Sequence, residues 1–536
     1  MAVENDEELK ELLDDRNITV SSSGRELLLA ADDVEEAVQA VEERFAGRLV
    51  ITASNIRDVV EVDLTESSSG EESKDSADNE DKDDDDVDEV EETYREKVRD
   101  TYITWVNRET ANSAEAFGEV SEDPFSDIEE VENGFGVERE VDEREFSISE
   151  DVASNSEAEG EIEDFVAYFR SRYERLSGIL KQRLSPKPIE ALGAGSHSDS
   201  ITVIGMVVDK RNTSSGNRLL ELEDTTGTTR VVFSDEEEIE ICDQIVNDGV
   251  IGVQGTLSDD GGIIFGDRIH FPEVPPRRRT RTADRDVKVA LISDVHFGAR
   301  EMAVDKWNRF VEWLHEQEDI EYLLIAGDII EGVGIYNGQK EQLSVQTIER
   351  QYDLCQAAFE QLPDDITVVV TPGNHDGVPQ AEPQPTFPEK YRDRFPDNIH
   401  FGPNPAVIDI EGVNFLMYHG VSILPFIDLL PNGDVQEPAS GMWPMLQKRH
   451  IAPMYGKGVR ISPEREDNLV IEEVPDVVHC GHVHTFDLHE YNGVKLVNTG
   501  AWQHQTDYQR RLDITPDVGF CPVFNLEDMS VQLYGF

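Results

Sequence analysis

The stretch VKVALISDVH, residues 287–296, decides the fold of this chain. It is a short run of mostly apolar residues that ends in an aspartate and a histidine, Asp294 and His296. A run of this length predicts a strand that is buried in a sheet. Because open α/β sheets bind their ligands at the carboxyl ends of strands, the two polar residues predict a functional site at that end.

Four more apolar runs along the chain share this design. Each ends in a polar cluster, and these are Gly327-Asp328, Asn374-His375-Asp376, His419-Gly420 and Gly481-His482-Val483-His484. Helical stretches at 302–317 and 343–362 separate some of the runs, and the alternation predicts a layered α/β fold. One such cluster carries little information, but five in order, each directly after a strand, predict one shared site.

The side chains in these clusters are carboxylates, imidazoles and one amide, with no thiolate. This chemistry suits Mn²⁺, Fe or Zn²⁺ and disfavours Ca²⁺. The order D-x-H, GD, GNH[DE], H and GHxH resembles the motifs of the calcineurin-like metallophosphoesterases over residues 287 to about 510. That resemblance implies two divalent metal ions, Mn²⁺ or Fe first and Zn²⁺ or Mg²⁺ as alternatives. One ion would be held by Asp294, His296, Asp328 and His484, and the other by Asp328, Asn374, His419 and His482.

The same resemblance implies roles for residues beside the ligands. His375 matches the histidine that protonates or stabilises the leaving oxygen, so it is the candidate general acid. Glu331 occupies the position where relatives carry a residue that orients this imidazole, although it also fits a solvated acid at a helix start. Asp376 is the alternative orienting residue. His450, His479 and His504 match no ligand position, and we expect them to be structural or to support the ligands.

Longer strings around the clusters narrow the family. Residues 327–339, 372–385, 445–456 and 498–503, together with the β-rich region before them, resemble the small subunits of archaeal D-family DNA polymerases. These are related to the B subunits of eukaryotic replicative polymerases. The match covers 200–536 and departs from the family at Glu331 and Asn337, where Asp and Pro are expected. No candidate ligand is lost.

This resemblance implies a 3′→5′ exonuclease that acts on DNA 3′ ends and proofreads for a separate large polymerising subunit, with which it forms a heterodimer. Two alternatives stay open. In one, the metal site is vestigial and the chain is a scaffold of the polymerase. In the other, the chain is a dinuclear-metal phosphatase. The β-rich region counts against the phosphatase, because a simple phosphatase does not need it.

Composition and pattern divide the chain into six regions. We predict a helical module at 1–62, an acidic disordered linker at 63–163, an amphipathic helix with a connector at 164–199, a barrel that resembles an OB-fold at 200–274, a basic Pro/Arg linker at 275–286, and a four-layer phosphoesterase domain at 287–536. The N-terminal module is a candidate contact for the large subunit or other replication factors. Residues 102–106, an apolar island in the acidic linker, fit either a docking motif or a local cluster.

For the barrel and the basic linker, the sequence does not decide what each region contacts. The barrel either binds DNA or only packs on its neighbours, and its few aromatic and many acidic residues favour packing. The arginines of the 275–286 linker are equally consistent with contacting phosphate or an acidic partner and with being solvated.

The chain is very acidic, with 114 acidic against 47 basic residues and a net charge of -67. Residues 286–536 still hold 40 acidic and 17 basic residues, so the excess is not confined to the linker. Such surfaces resemble proteins of high-salt cytoplasms, where the Debye length at about 1 M salt is roughly 3 Å. They also disfavour non-specific contact with DNA, so a role on DNA requires a partner or the metals.

The remaining composition argues for an intracellular protein. The four cysteines have no CxxC spacing, so the sequence suggests neither a zinc ribbon nor a disulfide framework. The N-terminal residues do not resemble a signal peptide, and no apolar stretch reaches the length of a membrane span. We expect a cytoplasmic protein without a membrane partner.

Overall fold

The structure is a computed structural model that describes residues 103–106, 145–154, 158, 160–192, 200–258, 261–276, 278–336, 338–430, 433–456, 458–462, 464–511 and 514–536. The predictions for the helical module at 1–62, for most of the acidic linker and for Asn337 lie outside these residues. The chain forms two compact units, one of residues 1–92 and 507–514 and the other of residues 93–506 and 515–536. In the first unit, the described residues contain one short helix, Asp507–Arg511. The second unit contains the predicted site.

The described part of the second unit contains eighteen strands. In chain order they are β1 (Ile103–Val106), β2 (Phe146–Ile148), β3 (Ser200–Asn212), β4 (Arg218–Asp224), β5 (Gly227–Phe233), β6 (Val250–Leu257), β7 (Ile264–His270), β8 (Lys288–Ile292), β9 (Ile320–Ala326), β10 (Thr367–Thr371), β11 (Ile399–Phe401), β12 (Ala406–Ile410), β13 (Val413–Met417), β14 (Val477–Cys480), β15 (Phe486–Tyr491), β16 (Val494–Thr499), β17 (Phe520–Asn525) and β18 (Val531–Gly535).

Seven α-helices accompany these strands in the described residues of the second unit. They are α1 (Ile162–Lys181), α2 (Glu236–Asp243), α3 (Val304–Glu316), α4 (Ile348–Phe359), α5 (Glu389–Arg392), α6 (Ile423–Ile427) and α7 (Ala439–Lys448). Two short 3₁₀ turns cover Ile189–Ala191 and Gln339–Gln342. None of the helices in the described part of the chain is both long and apolar enough to cross a membrane.

Two sheets form the centre of the phosphoesterase region. One has the order β1-β18-β17-β8-β9-β10-β11 and the other β15-β16-β14-β13-β12-β2. Strands β8 to β11 pair in parallel, and so do β13, β14 and β16. A cluster of buried apolar side chains draws on both sheets, with Leu324 of β9 and Phe415 of β13 among its members. The sheets therefore pack face to face.

Helices cover the outer faces of both sheets. Trp307 and Phe310 of α3 and Phe359 of α4 are buried with side chains of β8, β9 and β10. On the other side, Phe426 of α6 and Met442 of α7 are buried with side chains of β13, β14 and β16. The resulting order of helices, sheet, sheet and helices confirms the predicted layered α/β class.

A small barrel precedes the sheets. Its strand order is β3-β4-β5-β7-β6, and the pairing of β6 with β3 closes it. Strand β5 pairs with β7 in parallel, whereas the other four strand pairs of the barrel are antiparallel. Val203, Leu220, Val231 and Val253 are fully buried in its core. A small barrel is therefore confirmed, and its bounds of 200–274 and its assignment to the OB-fold class stay predictions.

Helix α1 lies against the barrel and the phosphoesterase region. It begins at Ile162, earlier than predicted, because Glu161 and Asp164 form a capping box there. Leu176 and Leu180 on its apolar face are buried with side chains from the barrel and from Val470. The same face also buries a charged residue, Arg172, which the apolar pattern did not reveal.

Two segments of the predicted disordered linker are strands. Strand β1 extends one sheet by pairing in parallel with β18, and β2 extends the other by pairing antiparallel with β12. The prediction of disorder over 63–163 is therefore wrong for these two segments. The physical reason is that a sheet edge offers unpaired backbone groups, which a few residues can use despite acidic flanks.

Three arginines of the 275–286 linker pair with acids of the phosphoesterase region. Arg278 and Arg281 both contact the carboxylate of Asp476, and Nε of Arg281 lies 2.7 Å from its Oδ2. The side chain of Asp476 has no exposed surface. Arg285 forms a further pair with Glu321, 2.5 Å between Nη1 and Oε1. These three arginines therefore attach the linker to the domain, which neither of the predicted alternatives anticipated.

Candidate metal centre

The five sequence clusters all follow strands of the two sheets. Asp294 comes after β8, Asp328 after β9 and Asn374 after β10, and His419 and His482 come after β13 and β14. Within each sheet these strands run in parallel, so their carboxyl ends lie at one edge. The two edges meet and bring together residues that are far apart in sequence.

The candidate ligand atoms converge closely. Nε2 of His419 lies 3.1 Å from Oδ2 of Asp328 and 2.9 Å from Oδ1 of Asn374. Nε2 of His484 lies 3.3 Å from Oδ1 of Asp294 and 3.1 Å from Nε2 of His296. Three groups of side chains place their ligand atoms within 4.8 Å of one another: Asp294, His296 and His484; Asp328, His419 and His482; and His296, Asp328 and His375. Carboxylates and imidazoles so arranged fit a transition-metal or zinc site.

The backbone at this edge adopts an uncommon conformation. Asp294, His296, Asp328, His482 and His484 all have positive φ, between 53° and 70°. For residues with a Cβ atom this region costs on the order of 1–3 kcal/mol each, and it persists only where neighbouring groups impose it. Here the backbone N–H of His482 donates to the carboxylate of Asp294. Left-handed residues held in this way are typical of functional sites.

Two glycines of the motifs allow the strand ends to approach one another. A Cβ atom at Gly373 would lie 2.2 Å from Oδ1 of Asp328, and one at Gly481 would lie 2.2 Å from Oδ2 of Asp294. Both contacts are far shorter than van der Waals distance. The glycine before Asn374 and the one before His482 are therefore required by the packing of the carboxylates.

Burial and charge set the protonation of the imidazoles. Burial lowers the pKa of His482 to about 3, and it also lowers the pKa of His484. Neutral imidazole is the form that ligates a metal ion. For His419, burial would lower the pKa, but the carboxylates of Asp328 and Asp294 raise it to about 10. A cation bound between these carboxylates would compete with that proton.

Glu331 is buried, but its carboxylate contacts a different imidazole from the one predicted. Its Oε2 lies 2.9 Å from Nδ1 of His296, although not in the geometry of a linear hydrogen bond. Its Oε1 is 3.9 Å from Nδ1 of His375, whereas its backbone carbonyl lies 2.7 Å from that nitrogen. Burial would raise the pKa of Glu331, yet His296 lowers it to about 2. The side chain therefore orients His296, and the main chain orients His375.

Asp376 does not take the predicted orienting role. Its carboxylate accepts the backbone N–H groups of Asp328, Ile330 and Gly373, at 2.9, 3.3 and 2.8 Å. None of the described hydrogen bonds joins it to the imidazole of His375. Burial, followed by the charge of Asp328, raises its pKa to about 7. The prediction is corrected: Asp376 fixes the loops that carry Asp328 and Asn374.

Sequence reasoning missed the amide and hydroxyl groups that hold Glu331. Gln503 donates to Oε2 at 3.0 Å, and Gln339 donates to Oε1 at 3.0 Å. The hydroxyl of Tyr336 lies 3.0 Å from the same Oε1. Gln339 and Gln503 lie in the segments 327–339 and 498–503, which resemble the family. Their role could not be predicted, because no sequence pattern indicates which residue a loop glutamine will contact. Of the other histidines, His479 is buried near Thr499, and His450 pairs with Asp467.

Comparison with known proteins gives the class of the two-sheet region and then the family of the chain. Residues 287–486 match the family model of the calcineurin-like phosphoesterases, so this region is of that class. The DNA polymerase II small subunit of Halobacterium salinarum is 44% identical over 402 residues, which cover 74% of this chain and 79% of that protein. The one from Archaeoglobus fulgidus is 38% identical over 416 residues, covering 74% and 84%. The chain belongs to the DNA polymerase II small subunit family.

Among solved structures, the chain is similar to a novel archaeal phosphodiesterase. The identity is 16% and the TM-score is 0.24, and the match covers 47% of this chain and 100% of that one.

Proposed function

We propose that this chain removes nucleotides from DNA 3′ ends by two-metal hydrolysis and pairs with a large polymerising subunit as a heterodimer. The observation that carries the proposal is the convergence of seven candidate ligands at one edge of the two sheets. The partner follows from the family, since the relatives are named as small subunits of a DNA polymerase.

Two divalent ions, Mn²⁺ or Fe, would be held by two sets of ligands. One set is Asp294, His296, Asp328 and His484, and the other is Asp328, Asn374, His419 and His482. Such a pair of ions would supply hydroxide at neutral pH and neutralise charge on the phosphoryl group. Asp328 belongs to both sets, since its Oδ2 lies 3.1 Å from His419 Nε2 and 3.9 Å from His296 Nε2.

His375 acts as the general acid at the rim of the site. Its side chain is 16% exposed, whereas that of His296 beside it is only 2% exposed. A carbonyl oxygen can only accept, so the Nδ1 atom of His375 donates its hydrogen to the carbonyl of Glu331. Nε2 is then the nitrogen that faces the leaving group, and in the cationic form of the imidazole it carries the proton to be transferred. As the phosphorus–oxygen bond breaks, this nitrogen gives its proton to the 3′ oxygen of the shortened strand.

The barrel takes a supporting role in this proposal. Its strand order and the parallel pair of β5 with β7 support the OB-fold assignment. It packs on α1 through Ile204 and Val250, as expected of a domain that connects its neighbours. We keep the boundaries 200–274 for the barrel and 287–536 for the phosphoesterase domain.

A nuclease assay tests the proposal. The full chain with Mn²⁺ at high salt, with and without the large subunit, is given single-stranded DNA labelled at the 3′ or 5′ end. We expect stepwise loss of 3′ nucleotides, its abolition by His375→Ala with metal still bound, and a 10- to 100-fold loss in Glu331→Gln, about the usual effect of removing a group that orients a ligand. His489→Ala, at a half-buried histidine of β15, is the matched control and should retain full activity.

Three other outcomes would contradict the proposal. Full activity in His375→Ala would exclude that residue as the acid. Hydrolysis of p-nitrophenyl phosphate without hydrolysis of DNA would show a phosphatase. A metal-loaded protein that hydrolyses neither substrate, alone or with the large subunit, would show a scaffold.

A further inference from the structure

An apolar edge borders His375, and the mechanism above does not use it. Residues 332–336 follow Glu331 and bring the ring of Tyr336 to 6.2 Å from the ring of His375, measured between centroids. Val333 is 41% exposed, and Ile335 and Tyr336 are half-buried. An exposed apolar edge beside the proposed general acid is unexpected in so acidic a chain.

The ring of Tyr336 is held in place through its hydroxyl group. The hydroxyl oxygen lies 3.0 Å from Oε1 of Glu331 and 2.8 Å from Oε1 of Gln342, and it can donate its hydrogen to either. Gln339 fixes the same segment, since it accepts the N–H of Ile335 at 3.0 Å and donates to Glu331. An aromatic ring that is already positioned loses little conformational entropy when a ligand stacks on it.

Charge gives a reason for an aromatic contact at this point. Proteins usually bind a DNA end through cations that contact phosphates, and this attraction weakens steeply as salt rises. Residues 286–536 carry far more acidic than basic side chains. Stacking of a base on an aromatic ring contributes about 1–3 kcal/mol per base and does not require a cationic partner.

We propose that the ring of Tyr336 stacks on the terminal base of a DNA 3′ end and so positions the last phosphodiester bond at the metal centre. The inference rests on the proposed nuclease function. It makes Tyr336 a substrate-binding residue that selects an end carrying a base, whatever the identity of that base.

The test compares two single-stranded oligonucleotides that differ only at the 3′ terminus, one with thymidine and one with an abasic tetrahydrofuran nucleotide. The full chain with Mn²⁺ is assayed for kcat/KM on each. For wild type we expect the normal end to be preferred by about 5- to 140-fold, the range that corresponds to one stacked base. In Tyr336→Ala the rate on the normal end should fall to that on the abasic end, so that the preference approaches one.

Two variants separate stacking from a structural role. Tyr336→Phe keeps the ring but removes the hydroxyl contacts that position it, so it should keep a preference for the normal end that is lower than that of wild type and clearly above one. Tyr455→Ala removes another tyrosine, 47% exposed and packed on Phe165 and Phe169, and should change neither rate. Unchanged preference in Tyr336→Ala, or equal loss on both ends, would overturn the inference. If wild type shortens neither oligonucleotide, the proposed nuclease function itself fails.

Discussion

Among the places where the described residues bury charged side chains, two can be compared: the metal centre, and a network where α1, the barrel and the phosphoesterase region meet. In this junction network, Nε of Arg172 lies 2.5 Å from Oδ2 of Asp467, and neither side chain is exposed. The guanidinium also donates to the carbonyls of Asp248 and Pro453. Nε2 of His450 lies 2.8 Å from the same Oδ2 of Asp467. The charge of Asp467 is thus matched by Arg172.

The metal centre is arranged differently. The carboxylates of Asp294 and Asp328 face imidazoles, two of which, His482 and His484, are kept neutral by burial. The ligand atoms point toward one another across less than 4.8 Å, and the backbone beneath them is left-handed at five residues. Ligand atoms that converge in this way can all bind one ion at the position that they share.

The difference teaches that burial of charge does not by itself mark a functional site. At the junction, the charged groups are satisfied by hydrogen bonds to one another and to backbone carbonyls. The network therefore fixes how α1, the barrel and the phosphoesterase region pack together. At the sheet edge, the carboxylates hold a proton on His419, and a bound cation would replace that proton. An imidazole can give up its proton whereas a guanidinium cannot, so the two regions should respond differently to loss of a charged partner.

The largest expected effect is on stability, at the junction. Arg172→Met leaves the buried charge of Asp467 without its cation, so we expect the free energy of unfolding to fall by about 3–5 kcal/mol. Urea denaturation measures this. Arg218→Met is the control, because Arg218 pairs with Asp243 at the surface, where such pairs contribute up to about 1 kcal/mol. Equal losses in the two variants would remove the distinction between the junction and an ordinary ion pair.

The second effect is on activity, at the metal centre. Asp328→Asn removes the charge of the carboxylate common to both ligand sets, so we expect hydrolysis of DNA to fall about 100- to 1000-fold, as for loss of a group that stabilises the transition state. In the metal-free protein, the loss of stability should be much smaller than in Arg172→Met, because His419 can give up the proton that Asp328 holds there and no buried charge is left unpaired. Metal content and melting temperature with and without a chelator are measured beside activity. A large loss of stability in the metal-free variant would contradict the comparison.

The same contrast explains what the sequence could predict. The candidate ligands were recognisable because each follows an apolar run, and both the run and its terminal residues are local in sequence. Parallel pairing then aligns the strand ends within each sheet, and the packing of the two sheets brings His419 of one sheet next to Asn374 of the other. That they bind metal ions remains a prediction.

The supporting contacts could not be predicted, because they join distant residues. Arg172 and Asp467 are 295 residues apart, and an arginine within an amphipathic helix looks like a solvated one. The carboxylate of Glu331 lies 2.9 Å from Nδ1 of His296 and 3.9 Å from Nδ1 of His375, and no local pattern in the sequence distinguishes these two contacts. The edge strand β2 pairs with β12, more than 250 residues away, despite its acidic surroundings.

The smallest expected effect is the pH dependence of the junction. Nδ1 of His450 accepts the N–H of Ala452 at 3.0 Å, while Nε2 donates to Asp467, so the neutral imidazole has both nitrogens in use. Burial, opposed by Asp467 and reinforced by Arg172, lowers its pKa to about 4. Below the unfolded value of about 6.5, the unfolded chain binds a proton that the folded chain does not, and stability falls until the pH reaches about 4.

His450→Gln tests this pH dependence, because glutamine can keep a donor toward Asp467 but cannot titrate. Between pH 7 and pH 5 the wild type should lose about 2 kcal/mol more stability than the variant, by the usual linkage of protonation to folding. Urea denaturation at both pH values measures the loss of stability for each protein. The buried histidines of the metal centre contribute equally to both losses, so their contribution cancels when the two are subtracted. Parallel losses would mean that His450 is already charged in the folded state. The junction would then carry a second cation beside Arg172, and its charges would no longer be matched as the comparison requires.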